Sequence, residues 1–188
     1  MEPNEPNAQL DPAGGTVSAE SGPAPGANDA LLTEPAGWTD TLTGTEGPRY
    51  WDRLLSGEQA RLRRYRHSVT IVFVELSGFE EAATWIGREA ALQKFAQLAR
   101  RLASQVRSSD HIARVGPRRF GLVLVETNEL EALNFIDRLL KHLQGAIADE
   151  GLEIHVGVGW ASPEPNDQLS AAIATAEERL ATDFFHTR

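Results

Sequence analysis

A chain of 188 residues that is 41% hydrophobic holds enough apolar material for one packed domain with some chain to spare. The absence of cysteine excludes disulfides, thiolate metal centres and cysteine nucleophiles. The net charge of −9 belongs largely to the leading segment, where eight acids and no Lys or Arg precede Arg49; the remainder carries 19 acids against 18 bases and has no overall attraction for nucleic acid.

Residues 1–36 are Pro, Gly, Ala, Asn and Glu with almost no large apolar side chains. Such a segment cannot bury enough surface to offset its ordering entropy, so a disordered acidic tail is expected there, with the folded domain over 37–188. The first thirty residues show no basic start followed by an apolar run, and Val69–Val74, broken by Thr70, is too short to cross a bilayer. A cytoplasmic protein without membrane contact is the expectation.

From Trp38 the pattern changes. Arg49–Arg66 reads as a helix with Tyr50, Leu54, Leu55, Ala60 and Leu62 on its apolar side, and Ser68–Glu75 as a buried strand rich in Val, Ile and Phe. Phe79–Ile86 is a short helix. Glu89–Val106 is a longer one, with Leu92, Phe95, Ala96, Leu98, Ala99 and Leu102 on a broad apolar face. His111–Val115 and Arg119–Glu126 read as strands joined by a tight hairpin at Gly116-Pro117, where Gly116 supplies any positive φ. Leu130–Leu143 is a helix carrying Leu133, Phe135, Ile136, Leu139, Leu140 and Leu143. Leu152–Trp160 alternates as a strand should, and Gln168–Ala181 is the last helix. This order suits an α+β sandwich, one mostly antiparallel sheet with helices packed on it.

Four places in that order resemble the GGDEF domains of diguanylate cyclases. Asp40-Thr41-Leu42-Thr43-Gly44 is similar to their Asp-x-Leu-Thr-Gly opening, and Phe73–Phe79 to their metal-binding strand end. Arg107-Ser108-Ser109-Asp110 and then Arg114–Phe120 match the Arg-x-x-Asp motif and signature hairpin at the family spacing. Val158-Gly159-Trp160-Ala161, with Ala176-Glu177 and Leu180, is similar to the closing strand and helix. The resemblance covers roughly residues 38–184 and implies the nucleotide-cyclase-like sandwich.

The resemblance also implies lost chemistry. Joining two GTP molecules requires divalent metal held by carboxylates and a positioned hydroxyl. At the family's metal positions this chain has Glu75, still acidic, and Ser77; the hairpin reads Gly116-Pro117-Arg118-Arg119, with arginines in place of both acids. The guanine-contacting positions correspond to Ala83 and Leu92, which cannot hydrogen-bond, and the phosphate-side lysine corresponds to Glu80. No catalytic residue, no Mg²⁺ site and no cofactor are therefore expected.

What the resemblance leaves is the family's inhibitory site for cyclic di-GMP. Arg107 and Asp110 fill its Arg-x-x-Asp positions and Arg138 falls at the third contact. Arginine forks bind phosphate and stack on guanine, and a carboxylate accepts from guanine N–H groups. A plainer reading also fits: a local Arg107–Asp110 ion pair and a surface Arg138. Two functions lead, a cyclic di-GMP receptor or adaptor acting on a protein partner, or an interaction module with this fold and no nucleotide; an enzyme with residual or altered nucleotide chemistry through Glu75 ranks last. The partner is unidentified, a homodimer or a heterodimer with another GGDEF protein being one form. The cluster Arg61, Arg63, Arg64, Arg66 and His67 reads as a solvated helix face, and the five histidines show no metal-ligand spacing.

Overall fold

A central strand is buried on both faces only if helices cover both, and Val69-Thr70-Ile71-Val72-Phe73-Val74 is buried at every residue. In a computed structural model that describes residues 30–148, 151–164 and 167–186, this strand is β1 (Val69–Ser77). It lies inside a four-stranded antiparallel sheet with β2 (His111–Arg114), β3 (Arg119–Val125) and β4 (His155–Ala161), in the order β2-β3-β1-β4. Successive side chains of a strand point to opposite faces. Val72, Val74 and Leu76 accordingly join one core with Phe79, Phe95, Leu102, Phe135 and Leu139. Those residues come from α2 (Phe79–Ile86), α3 (Arg88–Ala103) and α4 (Glu129–Ala148). Val69, Ile71 and Phe73 join the other core with Trp51, Leu169, Ala172, Ala176 and Leu180, from α1 (Pro48–Tyr65) and α5 (Leu169–His186). Each fully buried Leu or Phe contributes about 1.5–3 kcal/mol, so the two layers hold the sheet from both sides.

Local chemistry sets the element ends. Pro48 presets φ in the first turn of α1, and Arg66, at φ 51°, ends that helix in the left-handed conformation with its N–H on the Leu62 carbonyl. Asn128 and Glu131 start α4 with a reciprocal cap: the Glu131 N–H donates to Asn128 Oδ1 and the Asn128 N–H to Glu131 Oε2, both at 3.0 Å. Gly121 passes directly beneath Trp51, where a Cβ would meet the indole at 2.7 Å. No helix among the described residues is long and apolar enough to cross a membrane.

The expected α-β-α-α-β-β-α-β-α order and the antiparallel sheet match the structure. Several particulars differ. Leu31 and Leu32, assigned to the tail by composition, are buried in the α2–α4 core, and the Ala30 carbonyl accepts from Arg88 Nη2 at 2.9 Å. Residues 30–36 thus belong with the fold, because two adjacent leucines suffice to anchor a polar stretch; the expectation for residues 1–29 lies outside the described residues. Helix α3 stops at Ala103 rather than Val106, since Gln105 and Val106 turn back onto the carbonyls three residues earlier. Helix α4 runs on to Ala148 because Ala146 and Ile147 still meet the core, while Leu133 is 41% exposed and not on the apolar face.

Candidate ligand-binding cleft and the neighbouring hairpin

The hairpin between β2 and β3 is built by a four-residue turn. The Arg119 N–H reaches the Gly116 carbonyl at 3.4 Å and the Val115 N–H reaches the Arg119 carbonyl at 2.9 Å. Pro117 and Arg118 are its central residues. Gly116 does not have positive φ, so the expected role for it is corrected: Pro117, with its fixed φ, takes the position such turns favour for proline.

Register then decides what Arg119 meets. It lies directly across the β1–β3 ladder from Glu75, and its Nη2 and Nε donate to Glu75 Oε2 at 2.9 and 3.1 Å. Arg119 Nη1 is also 3.8 Å from Glu177 of α5. Arg118 bridges Glu75 Oε1 at 3.9 Å and Glu80 Oε2 at 3.5 Å. Glu80 Oε2 is buried without a hydrogen bond, so its contact with Arg118 is a charge pair and no more. Ser77 closes β1 opposite His155. Ala83 and Leu92, on α2 and α3, are half-buried against the core.

At the other end of β3 the chain makes a cleft of about 110 Å³. Arg107, Asp110, Glu126, Thr127, Glu131 and Phe135 line it, with Leu124 beneath. The structure thus brings Arg107 and Asp110 together but not as an ion pair. Asp110 Oδ1 accepts from the Val125 N–H at 3.1 Å, tying the loop after α3 to the end of β3, and from the Ser109 hydroxyl at 3.4 Å. Arg107 is exposed and has no ion-pair partner among the described residues. Arg138 is not in the cleft wall. It lies one turn along α4 from Phe135, its guanidinium 5.5 Å from that ring, on the helix face that also carries Glu131.

Between hairpin and core is a buried ion pair. Arg114 Nη1 donates to Asp40 Oδ1 at 2.9 Å, and both side chains are nearly inaccessible. Asp40 Oδ2 accepts from the Thr43 N–H and hydroxyl at 2.9 and 2.6 Å, which folds the Asp-Thr-Leu-Thr-Gly loop. Arg114 also donates to the carbonyls of Thr33 and Pro117 and stacks on Phe95. Sequence reading found the Asp40 motif but missed this partnership; an arginine amid the apolar residues of a strand was the available signal. Glu126, Glu131 and Phe135 were missed as cleft residues, since only the fold brings them to Asp110. The basic cluster divides: Arg61 pairs with the buried Glu58 at 2.6 Å, Arg64 stacks on Tyr65, and Arg63, Arg66 and His67 border a separate cleft of about 420 Å³.

Known proteins share the fold that carries these residues. The family model for the GGDEF domain of diguanylate cyclases matches residues 37–183. The response regulator PleD of Caulobacter vibrioides is 26% identical over 146 residues, which is 74% of this chain and 32% of PleD. The chain spans about a third of the length of the curated relatives it matches. Among solved structures, diguanylate cyclase SiaD of Pseudomonas aeruginosa, crystallised with its activator SiaC, superposes with a TM-score of 0.69 at 20% identity, covering 80% of this chain and 59% of that one. The GGDEF domain of DgcB from Caulobacter crescentus, in complex with c-di-GMP, gives 0.69 at 15% identity, covering 81% and 93%. The shared feature is the fold.

Proposed function

The chain belongs to the GGDEF domain family of diguanylate cyclases, and on that premise we propose that it is a receptor or adaptor for cyclic di-GMP in the cytoplasm that does not itself make the nucleotide. The observation that carries the receptor reading is the exposed Arg107, without an ion-pair partner among the described residues, beside Asp110 in one cleft, with Arg138 seated on the Phe135 ring next to it. Two guanidiniums suit the two phosphates and stack on guanine, and Asp110 Oδ2 is left to accept from a base N–H.

The absence of cyclase chemistry is supported at the opposite end of β3. A divalent cation does not fit beside Glu75, because Arg119 and Arg118 already neutralise that carboxylate and bring positive charge to the place. Ser77, Ala83 and Leu92 offer neither a second carboxylate nor a base contact. With Glu75 and Glu80 both paired to Arg118 rather than open to a metal, phosphoryl transfer lacks the cation that neutralises the charge developing on the triphosphate.

Calorimetry with the full chain and cyclic di-GMP tests the reading. Binding is expected, and Arg107→Ala abolishes it. Absence of heat at high protein concentration would overturn the receptor role and leave the interaction module, which one observation favours: Trp85 on α2 is 87% exposed, beside Ile86 at 37%. Formation of any cyclic dinucleotide from GTP and Mg²⁺ would overturn the claim of inactivity.

A further inference from the structure

Guanine differs from the other purines by presenting two adjacent donors, N1–H and the exocyclic amino group, which together ask for two side-by-side acceptors. One carboxylate supplies that pair if both of its oxygens are available. Three carboxylates line the cleft, and two are partly spent. Asp110 Oδ1 holds the Val125 N–H and the Ser109 hydroxyl. Glu131 Oε2 holds the Asn128 N–H in the cap of α4. Glu126 has no hydrogen-bond or ion-pair partner among the described residues, so both of its oxygens are uncommitted.

Backbone geometry points to the same residue. Glu126 sits at φ 51°, a left-handed conformation that L side chains other than Asn and Asp rarely adopt. Its neighbours impose it: the buried Thr127 gives its carbonyl to Thr70 Oγ1 at 2.9 Å and its hydroxyl donates to the Val125 carbonyl at 3.0 Å. A glycine would relieve the strain and leave the cleft without this side chain. Strain maintained at a cleft wall is a mark of a working position.

Resting on the reading of the cleft as a cyclic di-GMP site, we infer that Glu126 is its specificity-determining side chain, accepting from guanine N1–H and the exocyclic amino group and so selecting guanine over other purines. A carboxylate near a dianionic ligand is unfavourable unless the base donates to it. Glu126 therefore penalises ligands that lack the donors as well as rewarding the one that has them.

The test is a calorimetric titration of the full chain with cyclic di-GMP and with its inosine analogue, which lacks the exocyclic amino group. Wild type prefers cyclic di-GMP by about tenfold or more. Glu126→Gln loses most of that preference, with weaker cyclic di-GMP binding and unchanged or tighter binding of the analogue. Glu126→Asn, whose short side chain tolerates the left-handed backbone, shows the same loss and guards against a folding defect. A variant that keeps the full preference, or binds cyclic di-GMP more tightly than wild type, overturns the role of Glu126 while the receptor reading stands. Wild type that binds neither ligand overturns both.

Discussion

Arg114 and Asp40 form an ion pair 2.9 Å long, with side-chain exposures of 2% and 6%. The arginine is among the largest fully buried side chains of the described residues; each of its three nitrogens donates to an acceptor, and its guanidinium lies over the Phe95 ring. Removing either partner strands the other charge away from water. Asp40→Ala and Arg114→Ala should each cost about 3–5 kcal/mol, measured as a lowered urea midpoint at constant slope. Losses below about 1 kcal/mol would mean that the pair behaves as a surface bridge.

The hairpin arginines make an electrostatic prediction. Wild type is expected to show no rise in thermal midpoint with millimolar Mg²⁺ or Mn²⁺. The double variant Arg118→Glu, Arg119→Glu adds two carboxylates beside Glu75, Glu80 and Glu177, which the arginines now pair, and should gain a cation-dependent rise by mass action. It should still form no dinucleotide, because Ala83 and Leu92 remain unable to read a base. Product formation in this variant would show that those two positions are dispensable.

Gly159 of β4 faces α5 so closely that an added Cβ would run into the Ala176 carbonyl and the Leu180 backbone. The backbone of a packed helix has no rotamer to change. Gly159→Ala should cost about 2–3 kcal/mol by chemical denaturation; Gly57→Ala, on α1 with open space around it, is the control and should be neutral or better.

Tyr50 donates to or accepts from His111 Nδ1 at 2.8 Å, and its pKa is raised above 10.0 by burial first and then by the negative charges of Glu46 and Glu58. A raised folded value means that the fold holds this proton more tightly than the unfolded chain does. Its contribution is complete below the ordinary tyrosine value and is lost as pH climbs through the folded one. A spectrophotometric alkaline titration of Tyr65→Phe, which leaves Tyr50 alone, should have a midpoint above 10.0. A midpoint at or below it would contradict the packing of α1 on β2.

The element order was legible because it is written in short-range pattern. The unbroken burial of Val69–Val74 and the helical spacing of Leu92, Phe95, Ala99 and Leu102 needed no partner to be recognised. Motif spacing likewise put Glu75 and Arg119 at one site, and the sheet register pairs them. What escaped were contacts across long separations. Thr33, Asp40 and Arg114 meet over distances in sequence that no local pattern encodes. Leu31 and Leu32 were hidden by their polar surroundings, since composition averages over a window and burial is decided residue by residue. The cleft was half-visible for the same reason: Arg107 and Asp110 are neighbours in sequence, whereas Glu126 arrives from just beyond β3 and Phe135 from α4.

The guanidinium of Arg114 grips the carbonyls of Thr33 and Pro117 at the same time. It works as a rivet joining the root of the leading segment to the turn that bears Arg118 and Arg119. Tension applied ahead of residue 30 would peel Leu31 and Leu32 away from their seats and arrive, through one side chain, at the hairpin.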